Sequence, residues 1–479
     1  MADNIEFLLN GVPRSVANIP PTTTVLEYLR GAERACGTKE GCAEGDCGAC
    51  SVVLGETVDG RMRYRAVNGC IVFMPQIAGK MLLTVEGLAE NGALHPVQQA
   101  MVDSDGSQCG FCTPGFVMAL FAFQHGGEKP GEDAIHEALA GNLCRCTGYR
   151  PIIAAARAVA GTADRFDAAE GTLTASVAAL AVEDDIAIER SDERFFVPHS
   201  LERLLALRAQ YPKAHLLAGG TDLAVLVTKE FRKLDTVISV TRVPELARIA
   251  IENGLLTIGA AVTYTDALPL LEEHWPSLGL LIRRLGSRQI RNIGTVVGNI
   301  ANASPIGDMP PALIVLGATL VLRSAAGTRE MPIEEFFLGY RKTALRADEI
   351  IESVRLPLQE ADALFRTYKV AKRWDQDISA VCSAFNLTIR DGIVDQARIA
   401  FGGMAATPCR AEACEAALIG QEWNEATVEA ATAALAEDYQ PLSDWRASAD
   451  YRLTVAANLL RRLFLETDRP DLQLEVMAL

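Results

Sequence analysis

Two short apolar runs flank Asn10-Gly11 in "IEFLLNGVPRSV" (residues 5–16), and an Asn-Gly step between such runs predicts a β-hairpin. "TTTVLEYLR" then has the look of a helix opened by a threonine cap. In "HPVQQAMVDSDGSQCGFCTPGFVMALFAF" apolar residues recur at helical spacing but break at "SQCGFCTPG", which predicts a helix starting near Pro114. A second helical run, "EDAIHEALAGN", leads into "LCRCTGYRPIIAAARAV". From Gly161 to about Arg194 periodicity is weak and Ala, Thr and acidic residues dominate, as in a connecting segment that has room for a stray helix.

Further on, "HLLAGGTDLAVLVTK" places a strand, a Gly-Gly-Thr-Asp turn and a second apolar run in succession. "SRQIRNIGTVVGNIANASPIGDMPPALIVLGATL" reads as a Gly/Asn/Ser-rich loop between apolar strands. "EIIESVRLP" and "FRTYKVAKRWDQDISAVCSAFNLTI" predict strands, "ARIAFGGMAATPCRA" a strand and turn, and "ATVEAATAALAEDY" and "DYRLTVAANLLRRLFLET" helices. The fold class expected is multidomain α+β, since 479 residues exceed one ordinary core.

Composition narrows the function classes. With 49% hydrophobic and 22% charged residues the chain is globular rather than disordered. A net charge of −16 disfavours nucleic acid and membrane surfaces and suits a cytoplasmic protein. No secretory signal or uncharged bilayer-length stretch is expected. Twelve cysteines without an export signal point to bound metal or free thiols, and eight fall in two tight groups before residue 150.

The first group is Cys42, Cys47 and Cys50, spaced C-x4-C-x2-C, with Cys70 following. This is the plant-type spacing for a [2Fe–2S] cluster, and Gly41, Gly45 and Gly48 let backbone N–H groups turn toward sulfur. The alternative, a four-thiolate zinc site, ordinarily pairs two C-x2-C hooks, which this spacing does not resemble. Cys36 lies outside the pattern. The second group pairs Cys109 and Cys112 with Cys144 and Cys146, each pair at a helix end. C-x-C is uncommon around zinc, so iron is favoured again without being required. His95 and His136 read as helix-surface residues, and Cys382, Cys409 and Cys414 fit no ligand pattern.

Together "GCAEGDCGAC", "QCGFCTPGF" and "GNLCRCTGYRPI" closely resemble the two [2Fe–2S] domains of the xanthine oxidase family of molybdenum hydroxylases. The resemblance implies a ferredoxin-like β-grasp domain (1–86) with ligands Cys42, Cys47, Cys50 and Cys70. It also implies a helical-bundle domain (87–160) with ligands Cys109, Cys112, Cys144 and Cys146. At Gln108 the family places a glutamine that reaches the pterin.

Taken alone, Gly219 and Gly220 could cradle a phosphate, Thr221 could add a hydroxyl and Asp222 could cap the next helix, but an ordinary tight turn explains them as well. The pattern is not G-x-G-x-x-G, so it supports no Rossmann fingerprint. The second loop adds Gly294, Gly298 and Gly307, with polar groups on Asn299, Asn302, Ser304 and Asp308. Two such loops suggest a dinucleotide held between subdomains. These segments resemble the same family's FAD-binding domain, of vanillyl-alcohol-oxidase type, here 195–363 after a linker at 161–194, closed by a small α+β C-terminal domain at 364–479. Carried over, Leu216, Leu217, Ala218, Gly219, Gly220, Thr221, Asp222 and Leu223 form the pyrophosphate loop, and Thr295, Asp308, Ile351 and Lys369 match further flavin contacts. "FFLGYRKT" matches a segment near the flavin, and Leu285 stands where animal members place a phenylalanine against the adenine.

The resemblance implies an electron-transfer subunit with two [2Fe–2S] clusters and FAD, and no catalytic residue of its own for hydroxylation. Each cluster passes one electron and a flavin can release two as hydride, so a two-electron source and a hydride acceptor such as NAD are expected. The source would be a molybdopterin-binding large subunit, in a heterotetramer of two small and two large chains. Cluster, cluster and FAD on one chain resemble the family's purine-oxidising branch, which converts hypoxanthine and xanthine to urate. Related carbon monoxide dehydrogenases, by contrast, divide these cofactors among chains. An aldehyde or N-heterocycle hydroxylase is the first alternative and a free-standing iron–sulfur flavoprotein reductase the second. Lys372, Arg373 and Asp375 are candidates to face a nicotinamide, though ordinary surface charge explains them too.

Overall fold

At the hairpin both turn residues take positive φ, Asn10 at 51° and Gly11 at 83°, the handedness a two-residue turn needs to follow strand twist. The computed structural model describes residues 3–127, 131–180, 184–358, 362–472 and 474. They form two units. The first comprises residues up to Leu246 with Thr263–Thr265 and Gly286–Thr295, and the second Ala247–Val262, Asp266–Leu285 and the residues from Val296 onward.

In the first unit a five-stranded mixed sheet runs in the order Val12–Val16, Ile5–Leu9, Met81–Leu83, Ser51–Val58, Arg61–Asn68. Ile5–Leu9 pairs in parallel with Met81–Leu83, and the remaining pairs are antiparallel. The expected helix is Val25–Gly31, and Thr24 caps it in a reciprocal box with Glu27. Its buried Val25, Leu26 and Leu29 pack with Ile5, Phe7 and Val52, which is the β-grasp arrangement. Four helices follow, Pro96–Asp103, Thr113–Gln124, Glu132–Leu139 and Arg150–Val159, and they share a core around Phe116, Leu120 and Ile152.

The segment read as a connector is largely ordered. It carries helices Arg165–Ala168 and Glu170–Ala178 and strand Ile186–Arg190, and it buries Phe166 and Val177 in the helical core. Its anchor is Asp164. Asp164 Oδ2 accepts from His95 Nε2 at 2.6 Å, His125 Nε2 at 2.9 Å and Gln124 Nε2 at 3.3 Å, while Oδ1 caps the backbone of Phe166 at 2.8 Å. His95, expected on a helix surface, is only 3% exposed; its Nδ1 accepts from Val97 N–H, so Nε2 carries the proton given to Asp164. A four-stranded sheet completes the unit in the order Ile186–Arg190, Glu193–Val197, Thr236–Ser239, His215–Leu217, the last two pairings parallel.

The second unit contains an antiparallel five-stranded sheet ordered Ile249–Glu252, Leu255–Gly259, Ile350–Pro357, Thr319–Ser324, Gly327–Pro332. A four-stranded antiparallel sheet, Ala363–Val370, Val381–Arg390, Ile393–Gly402 and Cys409–Arg410, packs with helices Glu412–Leu418, Glu425–Asp438 and Ala449–Asp468 around Phe385, Phe401 and Leu460. One expectation fails: the segments beside the second polar loop are helices, Val296–Asn302 and Met309–Val315, not strands. Met309–Val315 is buried along its whole length, and a helix apolar all round shows no period to tell it from a buried strand.

Burial opposes ionisation of Asp164, but the bonds from His125 and His95 outweigh it and hold the carboxyl below its ordinary range. Its stabilising contribution is therefore present above the unfolded value near pH 4 and lost as pH falls through the depressed folded value. Asp164→Ala is expected to lower unfolding free energy by about 2–4 kcal/mol at pH 7. That difference from the parent should shrink below pH ~4 in paired denaturant melts.

Candidate functional site: two thiol centres and a glycine-turn loop

The first four cysteines sit on the loop between Thr38 and Ser51 and on the turn after strand Arg61–Asn68. Cys42 Sγ accepts backbone N–H groups from Glu44 at 3.5 Å, Asp46 at 3.3 Å and Cys47 at 3.3 Å. The sulfurs meet in pairs: Cys42 with Cys47 and with Cys70, and Cys70 with Cys50. Cys50 and Cys70 are buried, and Asn68, fully buried, ties the loop by donating to the Gly45 carbonyl at 2.8 Å. On the other side Thr228 Oγ1 donates to the Ala43 carbonyl at 2.7 Å and Lys229 Nζ to the Cys42 carbonyl at 3.1 Å. The bond from Cys47 holds the Cys42 thiol well below its usual range, while Cys42 pushes Cys47 and Cys70 up. Four thiolates so close cannot all ionise without a compensating cation.

Of the second set, expected at helix ends, Cys112 is the N-cap of Thr113–Gln124, whereas Cys109 lies in the loop before it and Cys144 and Cys146 in the loop between helices Glu132–Leu139 and Arg150–Val159. Cys109 and Cys146 are exposed and hydrogen-bonded to each other, and Cys112 pairs with Cys144. Burial, then Cys144, pushes Cys112 up to about 12. At Cys144 burial works upward too, but the Thr147 hydroxyl at 3.3 Å and nearby backbone N–H groups lower the thiol to about 7. The four cysteines line an open cleft of about 450 Å³ with Phe111, Leu143, Arg145 and Tyr149. Gln108 is exposed beside Cys109.

Bonds of about 2.3 Å around one tetrahedral zinc would bring all four sulfurs to roughly 4 Å of one another. Among the described residues, the three metal-ligating side chains whose donor atoms gather within 4.8 Å are His95, His125 and Asp164, and the cysteines form no such group. The backbone N–H donors aimed at Cys42 Sγ are what an iron–sulfur centre's sulfurs accept. The His/Asp group is explained by its own hydrogen bonds.

The glycine turn follows strand His215–Leu217 and opens helix Leu223–Thr228. Gly219 leaves no space for a side chain, because a Cβ there would lie 2.1 Å from the Ile293 carbonyl oxygen. Asp222 occupies the N-cap position yet makes no side-chain capping bond, contrary to expectation. Thr295, buried, pairs with Thr263. In the second unit Asn299 Oδ1 is buried without a hydrogen-bond partner, as a polar group built to meet a ligand would be. Ser304 Oγ accepts from Ile306 N–H, and Ile351 sits buried in the five-stranded sheet. Asp308 is brought together with Lys369, Nζ to Oδ2 at 2.5 Å, and with Ser379, Oγ to Oδ1 at 2.6 Å. Arg284 supports this pair by donating to the Lys369 carbonyl at 2.9 Å. Lys372 is engaged by the Trp445 carbonyl and Arg373 by Asp377. Sequence reasoning missed Ser379, Arg284, Asn68, Thr228 and Lys229, whose contacts span up to 187 residues and leave no local motif.

Four family descriptions match in order: a 2Fe-2S iron-sulfur cluster binding domain (7–74), a [2Fe-2S] binding domain (84–157), an FAD binding domain in molybdopterin dehydrogenase (189–359) and a CO dehydrogenase flavoprotein C-terminal domain (366–467). Among solved structures, carbon monoxide dehydrogenase from Hydrogenophaga pseudoflava is 32% identical with a TM-score of 0.54, over 57% of this chain and 96% of that one. The chain belongs to the molybdenum hydroxylases, as an iron–sulfur and flavin chain. Quinoline 2-oxidoreductase from Pseudomonas putida 86 matches 58% of this chain and 96% of its own at 28% identity, TM-score 0.53. Xanthine dehydrogenase of Emericella nidulans is 33% identical over 99% of the hydroxylase chain and 40% of the relative; aldehyde oxidase 2 of Rattus norvegicus is 30% identical over 97% and 39%. The chain thus spans about two fifths of the length of these relatives. No helix among the described residues is long and apolar enough to cross a membrane.

Two substitutions probe the site. Gly219→Ala should lower flavin absorbance per chain while leaving iron content unchanged. Lys369→Met strands the buried Asp308 carboxylate and should cost about 3–5 kcal/mol in a denaturant melt.

Proposed function

We propose that this chain is the electron-transfer subunit of a xanthine dehydrogenase, receiving electrons from a molybdopterin-binding partner and delivering them to NAD. The observation that carries the reading is coverage. Similarity to xanthine dehydrogenase runs along 99% of the chain, through both cluster domains and the flavin module, whereas the carbon monoxide and quinoline enzyme chains are matched nearly whole by only 57–58% of it. When bound, two iron–sulfur clusters and FAD supply the conversion between one-electron and two-electron transfer.

On this reading Cys42, Cys47, Cys50 and Cys70 hold one cluster and Cys109, Cys112, Cys144 and Cys146 the other. The exposure of Cys109, Cys146, Phe111 and Leu143 supports the second as the one nearer the partner, with Gln108 beside it. Leu216–Leu223 and Thr295 are the candidates to hold the flavin pyrophosphate, Asn299, Ser304 and Asp308 are further candidates from the second polar loop, and it is the family resemblance alone that adds Ile351 and Lys369 as flavin contacts. Lys369 is held in place by Asp308, and Asn299 Oδ1 offers an acceptor. Hydroxylation is left to the partner, in a cytoplasmic complex of two chains of each kind.

Aldehyde oxidase 2 is matched almost as fully, which makes an aldehyde the second substrate class. The native complex should form urate from xanthine with NAD⁺ reduction. Turnover of aldehydes without xanthine would overturn the purine assignment. The chain should carry about four irons, about four labile sulfides and one flavin; stoichiometric zinc in their place would remove the whole reading.

A further inference from the structure

The loops that carry the two thiol sets touch directly. Leu143, the residue before Cys144, donates its N–H to the carbonyl of Cys47 at 3.0 Å. One hydrogen bond and a few covalent bonds thus join a ligand of the first set to a ligand of the second. The neighbouring Asn142, 2% exposed, extends the contact, its Nδ2 donating to the Gly48 carbonyl at 3.0 Å and to Ser51 Oγ at 3.3 Å.

A third segment holds this contact shut. Gln289, fully buried on the short helix Arg288–Arg291, donates from Nε2 to Asn142 Oδ1 at 2.8 Å and to Ser51 Oγ at 3.4 Å. By occupying Asn142 Oδ1, it leaves the amide of Asn142 one orientation, with its N–H groups toward Gly48 and Ser51. The fit is close: a Cβ at Gly141 would lie 1.9 Å from Gln289 Oε1, and one at Gly48 would lie 2.2 Å from the Gly141 carbonyl. The same ten-residue segment ties down three other parts of the unit. Arg291 pairs with Glu137 at 2.8 Å, Asn292 Nδ2 donates to the Ala66 carbonyl at 2.8 Å, and Ile293 abuts Gly219.

We infer that Gln289 is a positioning residue for electron transfer between the two iron–sulfur centres, holding the Leu143 N–H···O=C Cys47 bond as a direct connection between their ligands. The inference rests on the function proposed above. With clusters bound, Cys109, Cys112, Cys144 and Cys146 would hold the centre that gives up one electron, and Cys42, Cys47, Cys50 and Cys70 the centre that takes it up. No bond is made or broken and no proton moves. Gln289→Met keeps the volume and removes the donor; Asn142→Asp removes the next donor in the chain.

Both variants are made in the complete complex with its partner and compared by iron and sulfide content, low-temperature electron paramagnetic resonance and stopped-flow reduction. Iron and sulfide should match the parent and both cluster signals should persist. The power needed to saturate the first signal, which reports the neighbouring spin, should fall. Reduction of the first centre by way of the second should slow severalfold. Parent-like saturation and rates in both variants would overturn the inference, and so would loss of iron, which would make Gln289 an assembly residue. A parent complex lacking two cluster signals would defeat the functional reading instead, so the two failures are distinguishable.

Discussion

Backbone passes backbone at Gly48 and Gly141 with no allowance for a methyl group, and the closeness of the two thiol loops follows from that. Each loop alone is a strip of polar backbone that water would solvate well. Where they meet, protein donors take the place of water at their carbonyls: Leu143 N–H for Cys47 and Asn142 for Gly48. Unmade bonds at such a contact would each cost about 1–3 kcal/mol, so the arrangement is close to all-or-none. The sulfurs add a second requirement. Thiolates packed in pairs are mutually repulsive until a cation joins them, so the same loops that bring ligands together are completed by the metal they bind.

Much of this was legible along the chain because its signals are local. Asn10-Gly11, the Thr24–Glu27 cap, the cysteine spacings and the glycine turn at 219 each lie within a few residues, and the structure has the corresponding hairpin, helix, thiol sets and loop. What stayed hidden is long-range or aperiodic. Met309–Val315, apolar on every side, was taken for a strand. Asp164 lay in a stretch without periodicity, and only the fold shows it drawing in His95 from 69 residues away. Lys369 and Asp308 were marked separately as flavin contacts, but nothing local tells that they form one buried pair completed by Ser379. Gln289 sits among charged and polar residues in a stretch read as part of a polar loop; its complete burial comes from docking on the cluster loops.

Substrate choice was not legible for a different reason. Relatives named for xanthine, aldehyde, quinoline and carbon monoxide all resemble this chain, so the resemblance does not select among substrates.

The first unit is also discontinuous, since Gly286–Thr295 returns to it after chain that belongs to the second. Both thiol sets are complete by Cys146, yet the segment that clamps them ends about 150 residues later. At about 5–20 residues per second, a ribosome takes roughly 7–30 s to cover that interval. During it the nascent ferredoxin and helical regions have their ligands but not their lock. Iron–sulfur delivery during synthesis would meet open, water-filled loops, and closure would follow metal loading instead of preceding it.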